Sequence, residues 1–146
     1  MLYSRTAKYA VLALAEVALC PPRIPVSTKQ VAASAAVPYP LLAKIVGQLR
    51  RAGLVHVARG KHGGILLKRP AEEITLLDVV LAMDGDDVLN DCPLFLAPCN
   101  CTHDDVGECD LHSLWKPAHD AVTHFFENST LRDIAEGRRN AKARVC

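Results

Sequence analysis

The sequence has few aromatic residues, no long apolar run and almost no acid in its first half. Three Phe, three Tyr and one Trp among 146 residues leave little for the base-stacking platform of a single-strand binder. No apolar run approaches the ~18 residues a membrane helix needs, so a membrane partner is not expected. The N-terminal stretch is interrupted by Glu16 and ends in Cys20-Pro21-Pro22 without a small-residue cleavage site. A cytoplasmic location is therefore expected. There is no nucleotide fingerprint, no phosphate-cradling glycine loop and no evident nucleophile–base pair, which argues against an enzyme. Internal repeats and low-complexity tracts are missing as well.

The acids that are missing from one half are concentrated in the other. Residues 1–71 hold eleven Lys/Arg and a single acid, Glu16, for a net of +10. Residues 72–146 hold six Lys/Arg and fifteen Asp/Glu, for a net of −9. The overall +1 thus hides two blocks of opposite sign. No acid lies between Val17 and Ala71, and no Lys or Arg between Glu72 and Asp110. A basic half of this kind suits a polyanion such as double-stranded DNA.

Hydrophobic periodicity gives the basic half its elements. Ser4 caps a helix running to Leu19, stopped by Pro21-Pro22. Ser27-Thr28-Lys29-Gln30 reads as a capping box for a short helix from Gln30 to Ala35. Pro38 to Arg50 forms a second helix with Leu42, Ile45, Val46 and Leu49 on one face, ended by Gly53. Leu54–Ala58 and Ile65–Lys68 are β-prone runs joined by Arg59-Gly60-Lys61-His62-Gly63-Gly64, whose three glycines are free to take positive φ. The expected fold is mainly α with a small β-hairpin wing: a winged helix-turn-helix plus a long C-terminal dimerisation helix.

Three parts follow. Residues 1–71 form a DNA-binding domain, and residues 72–110 an acidic linker helix with a cysteine-rich loop. Residues 111–146 form the dimerisation helix and tail. Thr75, with Asp78 three residues on, caps a helix from Leu76 to Met83. A helix from Leu111 to Glu127 carries Leu111, Leu114, Trp115, Ala118, Val122, Phe125 and Phe126, with Pro117 inside it. That stripe fits a homodimer seam, and it also fits packing within one chain. Thr130 caps a last helix from Leu131 to Ala141.

On the DNA-binding part, Arg59 stands at a glycine-flanked tip suited to a narrow minor groove. Lys44, Arg50, Arg51, Lys61 and His62 are candidate phosphate contacts, joined by Thr28 and Lys29 at the start of the short helix. Tyr39, at the start of the Pro38–Arg50 helix, is a further candidate DNA contact.

Of six cysteines, four cluster as Cys92-x6-Cys99-x-Cys101-x7-Cys109, with His112 just beyond. Cys20 and Cys146 stand apart, read as a small core residue and a tail thiol. Without a secretory signal such a cluster suggests metal or redox chemistry rather than a disulfide scaffold. An iron–sulfur cluster tolerates the irregular spacing and accepts histidine on iron. Zinc normally shows paired C-x2–4-C knuckles, which are missing here. A bare thiol switch is the third reading, opposed by acidic surroundings that raise thiol pKa values.

Four stretches together resemble the Rrf-type regulators, the IscR/NsrR/RirA-like winged helix-turn-helix family. They are Tyr9-Ala-Val-Leu-Ala-Leu14, Leu49-Arg-Arg-Ala-Gly-Leu-Val55, Arg59-Gly-Lys-His-Gly-Gly-Ile-Leu-Leu67 and Cys92…Cys99…Cys109-Asp-Leu-His112-Ser-Leu-Trp115. Asn128-Ser-Thr-Leu131 extends the similarity over nearly the whole chain. The resemblance implies a homodimeric transcription regulator, a repressor, that senses iron, redox or nitric-oxide status through a [2Fe–2S] or [4Fe–4S] cluster. It implies Cys92, Cys99, Cys109 and His112 as metal ligands, with Cys101 as an alternative ligand, and Arg59 as a minor-groove arginine. Departures are visible: Lys8 stands where some relatives supply a carboxylate, and Pro38, Pro40 and Ala43 replace polar base-reading side chains. Without a cluster, the same scaffold is a winged-helix regulator whose cysteines bind zinc or switch by thiol oxidation.

Overall fold

The computed structural model describes residues 3–89 and 110–139, apart from the side chains of Asp87, Asp110, Leu111 and His112. Six helices and one hairpin follow in the order α1 (Arg5–Ala18), α2 (Thr28–Ala35), α3 (Tyr39–Arg51), β1 (Val55–Ala58), β2 (Gly64–Leu67), α4 (Leu76–Asp84), α5 (Asp110–Asn128) and α6 (Leu131–Arg139). Single 3-10 turns at Ala71–Glu73 and Asp86–Leu89 flank α4. This is the expected mainly helical fold with a two-stranded wing.

Each cap has a local cause. The Ser4 hydroxyl accepts from the Ala7 N–H at 3.0 Å, and Thr75 and Asp78 form a full capping box on α4. The expected box at Ser27 does not form. Ser27 is the N-cap of α2 but makes no side-chain capping bond, and the helix begins at Thr28, ahead of the expected Gln30. The preceding Val26 exchanges two backbone hydrogen bonds with Ile65 on β2, at 3.0 and 2.8 Å. That bridge ties the start of α2 to the wing.

The core runs along α1. Leu14, Val31, Leu42, Ile45, Leu49, Val55 and Ile65 are fully buried in one cluster, which also takes Ile74 and Val79 from around α4 and Leu131 from α6. A second cluster joins Ala7, Leu76, Val80 and Phe126, with the Tyr3 and Phe126 rings edge-on at 5.4 Å. The expected α3 face, Leu42, Ile45, Val46 and Leu49, is the buried one. The α5–α6 turn is held to the start of α4 by Leu76 N–H to Ser129 carbonyl and Leu131 N–H to Ile74 carbonyl, at 2.8 and 2.9 Å. Among the described residues no helix is long and apolar enough to cross a membrane.

The wing glycines correct one expectation. Gly60 takes positive φ, at +105°, but Gly63 and Gly64 do not. They are needed because backbone comes too close. A Cβ on Gly63 would lie 2.3 Å from the Ala58 carbonyl oxygen, and one on Gly64 2.3 Å from that of Val26. The wing is therefore closed by packing against its own first strand and against the α2 entry, with only one left-handed residue in its turn.

Candidate nucleic-acid interface

One surface gathers the start of α2, the outer face of α3 and the wing. The hydrophobic stripe of α3 faces the core, so the helix geometry leaves Tyr39, Pro40, Ala43, Lys44, Arg50 and Arg51 exposed. Lys29 is exposed at the first turn of α2, with Thr28 half-buried beside it. On the wing, β1 and β2 pair antiparallel with Val57 opposite Ile65 and Ala58 opposite Gly64. Their turn carries Arg59, Lys61 and His62 into solvent. The nine expected DNA-facing residues thus lie on α2, α3 and the wing.

The electrostatics agree with the sequence blocks. Among the described residues, the ion pairs are Arg69–Asp78, Lys116–Asp120, Arg132–Glu72 and Arg138–Glu16, and the His119 ring also lies against Asp120. None involves Lys29, Lys44, Arg50, Arg51, Arg59 or Lys61. These cations keep their charge uncompensated by carboxylates, the state in which they can displace counterions from phosphate. A hollow of about 240 Å³ opens on the same surface, lined by Thr28, Tyr39, Ala43, Val46, Gly47, Arg50 and Val57.

The cysteine-rich loop is the second candidate site. Cys92, Cys99, Cys101 and Cys109 lie outside the described residues, as does Cys146. His112 falls in the first turn of α5, the helix that leaves the loop. Among the described residues no group of three or more His, Cys, Asp and Glu could hold a metal ion. Cys20 is buried in the core cluster, as expected of a small core residue, but its sulfur is disulfide-bonded.

The described residues on either side of the loop are anchored by Asp84 and His119. Asp84, at the end of α4, accepts from the Ser4 N–H at 2.7 Å and from the Ser4 hydroxyl. It thereby joins the last helix before the loop to the first turn of α1. On α5, His119 Nε2 contacts the Leu89 carbonyl, Nδ1 lies 3.3 Å from Asp120, and the ring stands edge-on to Trp115 at 6.1 Å.

Glu16 is a residue whose role was not foreseen. It is 3% exposed and accepts from Ser34 on α2 and from Arg138 on α6, whose Nε lies 2.9 Å from Oε1. A lone acid in an otherwise basic, apolar helix was the available signal. Its partner is 122 residues away, beyond any local pattern.

The apolar stripe of α5 divides in the structure. Phe126 is buried against Tyr3 and Val122 is half-buried, whereas Leu114 is 76% and Phe125 52% exposed. Ala118 and Ala121 are exposed between them.

Comparison with known proteins agrees with this architecture. Residues 3–137 match the family described as "Rrf2: Iron-dependent Transcriptional regulator". Over 134 residues, 92% of this chain and 91% of the relative, the sequence is 31% identical to a protein of Aquifex aeolicus assigned as an HTH-type transcriptional regulator. It is 29% identical over 131 residues to the HTH-type transcriptional regulator IscR of Photorhabdus laumondii, covering 90% of this chain and 77% of that one. Among solved structures, CymR, the global cysteine regulator of B. subtilis, aligns with a TM-score of 0.75 at 27% identity, over 91% of this chain and 95% of its own.

Proposed function

Because the chain belongs to the Rrf2 family of transcriptional regulators, we propose that it is a homodimeric repressor that senses iron, redox or nitric-oxide status through an iron–sulfur cluster held in its cysteine-rich loop. That it is a DNA-binding transcription regulator, and not an enzyme, follows from the family itself. The DNA-binding part of this reading rests chiefly on one observation: the six unpaired cations of α2, α3 and the wing share a surface with the exposed face of α3. In this reading α3 enters the major groove, Arg59 enters the neighbouring minor groove, and Thr28, Lys29, Tyr39, Lys44, Arg50, Arg51, Lys61 and His62 contact the duplex around them.

Cys92, Cys99, Cys109 and His112 would hold the cluster, with Cys101 as the alternative ligand. Three thiolates and an imidazole form a donor set that iron accepts, and the match to a family described as iron-dependent transcriptional regulators supports a role for iron here. When bound, the cluster would supply a centre that responds to oxidants and to iron supply. The chain's own residues then carry the response. Asp84 ties the end of α4 to Ser4 on α1, so a change in how the loop is held reaches the helix on which α2 and α3 pack. The homodimer is supported by the exposed Leu114, Ala118, Ala121 and Phe125 of α5, whose 4-3-4 spacing is that of a helix–helix seam.

Anaerobically purified protein tests the reading. Visible charge-transfer bands with both iron and sulfide present are expected, and Cys92→Ala or Cys109→Ala should abolish the colour and alter DNA affinity. A colourless protein carrying zinc, or one that fails reconstitution, would shift the function to a winged-helix regulator whose cysteines bind zinc or act as a thiol switch.

A further inference from the structure

Gly47 sits in the middle of α3, where glycine is the least favourable residue after proline. Nothing in the fold calls for it. A Cβ built there meets no atom within 4 Å, and its φ is not left-handed. The missing side chain instead opens onto the hollow of about 240 Å³, whose lining joins the apolar Ala43, Val46 and Val57 to Thr28, Tyr39 and Arg50. The hollow lies between α3 and the first wing strand. The cations of α2, α3 and the wing described above lie on the elements that line it.

A duplex read by α3 in the major groove and by Arg59 in the next minor groove must pass one strand between those two elements. We propose that this hollow seats the sugar–phosphate backbone of that strand, with Gly47 setting how closely it approaches. Ala43, Val46, Gly47 and Val57 would present C–H surface to a deoxyribose. Thr28 and Arg50 in the same lining would present a hydroxyl and a guanidinium to the flanking phosphates. The charge around the hollow is complementary to this occupant and to no apolar one. The inference rests on the DNA-binding reading and adds to it a backbone seat, distinct from base readout.

The test uses the full-length protein and a duplex selected by the wild type from a random-sequence library, with fluorescence anisotropy as readout. Gly47→Ala should unfold at a higher temperature, since alanine favours the helix, yet bind the duplex about tenfold more weakly; Gly47→Leu, which fills the hollow, should lose about a hundredfold. Repeating the selection with Gly47→Ala should return the wild-type sequence preference, because a backbone contact carries little base information. Variants that fold and bind like the wild type would overturn the proposal while leaving DNA binding intact. So would a changed sequence preference, which would place Gly47 against base edges. Wild-type protein that selects no duplex would overturn the regulator reading, and this proposal with it.

Discussion

Glu16 is a carboxylate almost sealed inside the protein, and the groups it meets decide what it does. Ser34 and Arg138 both donate to it, so one side chain on α1 fixes α2 and α6 together. Removing one partner from a buried pair leaves an uncompensated charge, which costs more than the intact pair contributes. Arg138→Ala should therefore lower stability by about 3–5 kcal/mol, measured by urea unfolding. Arg138→Met combined with Glu16→Leu should recover most of that loss. At the wing tip the logic is opposite. Arg59 is exposed and packs on nothing in the core, so Arg59→Ala should leave the unfolding midpoint within error of wild type. The same substitution should weaken operator binding by about tenfold or more, with the largest effect on operators carrying an A·T tract at the wing position.

At the scale of the element, helix ends show how local chemistry fixes boundaries. On α6, the Thr130 N–H and hydroxyl donate to Asp133 at 2.8 and 2.7 Å, and the Asp133 N–H returns a bond to the Thr130 hydroxyl at 3.3 Å. The hydrogen bond from the Thr130 backbone, followed by that from its hydroxyl, holds the Asp133 carboxyl below its ordinary pKa. A carboxyl lowered in the folded state contributes its stability above the unfolded pKa, near 4, and loses it as pH falls through the folded value. Asp133→Asn should accordingly destabilise at neutral pH, and its difference from wild type should shrink progressively below about pH 4. Chemical unfolding across pH 3–7 would check this; a difference independent of pH would contradict the capping role. The wing obeys a different rule. Its shape depends on Gly63 and Gly64 admitting backbone oxygens at distances no Cβ tolerates, a demand set by neighbouring strands rather than by turn type.

Across the whole molecule, the segregation of charge becomes a segregation of surface. The acid-free half supplies α2, α3 and the wing, and the acidic half supplies α4, the cysteine-rich loop and the helices that follow. If Lys29, Lys44, Arg50, Arg51 and Lys61 meet phosphate as proposed, log K for DNA should fall linearly with log salt, with a slope of roughly −4 to −5 per protomer. Lys44→Ala should reduce that slope by about one. A slope near zero would place the cations away from the duplex.

Much of this was written in the chain order. The 3.6-residue spacing of Leu42, Ile45 and Leu49 determined which face of α3 is buried and hence which face is free for DNA. Ser4, Thr75 and Thr130 announced their helices because a cap is satisfied within three residues of itself. The basic and acidic blocks and the cysteine spacing are likewise properties of sequence alone, and with the wing motif they were enough to indicate the family. What the tertiary structure decided are the contacts between distant segments. The Ser27 box stayed unformed where Val26 is drawn into a bridge with Ile65. Gly63 and Gly64 serve close approach rather than positive φ. Glu16 finds Arg138 at the far end of the chain, and Gly47 opens a hollow whose other wall belongs to β1. Local periodicity carries information over a few residues, whereas such pairings are chosen by which surfaces the packed helices bring together.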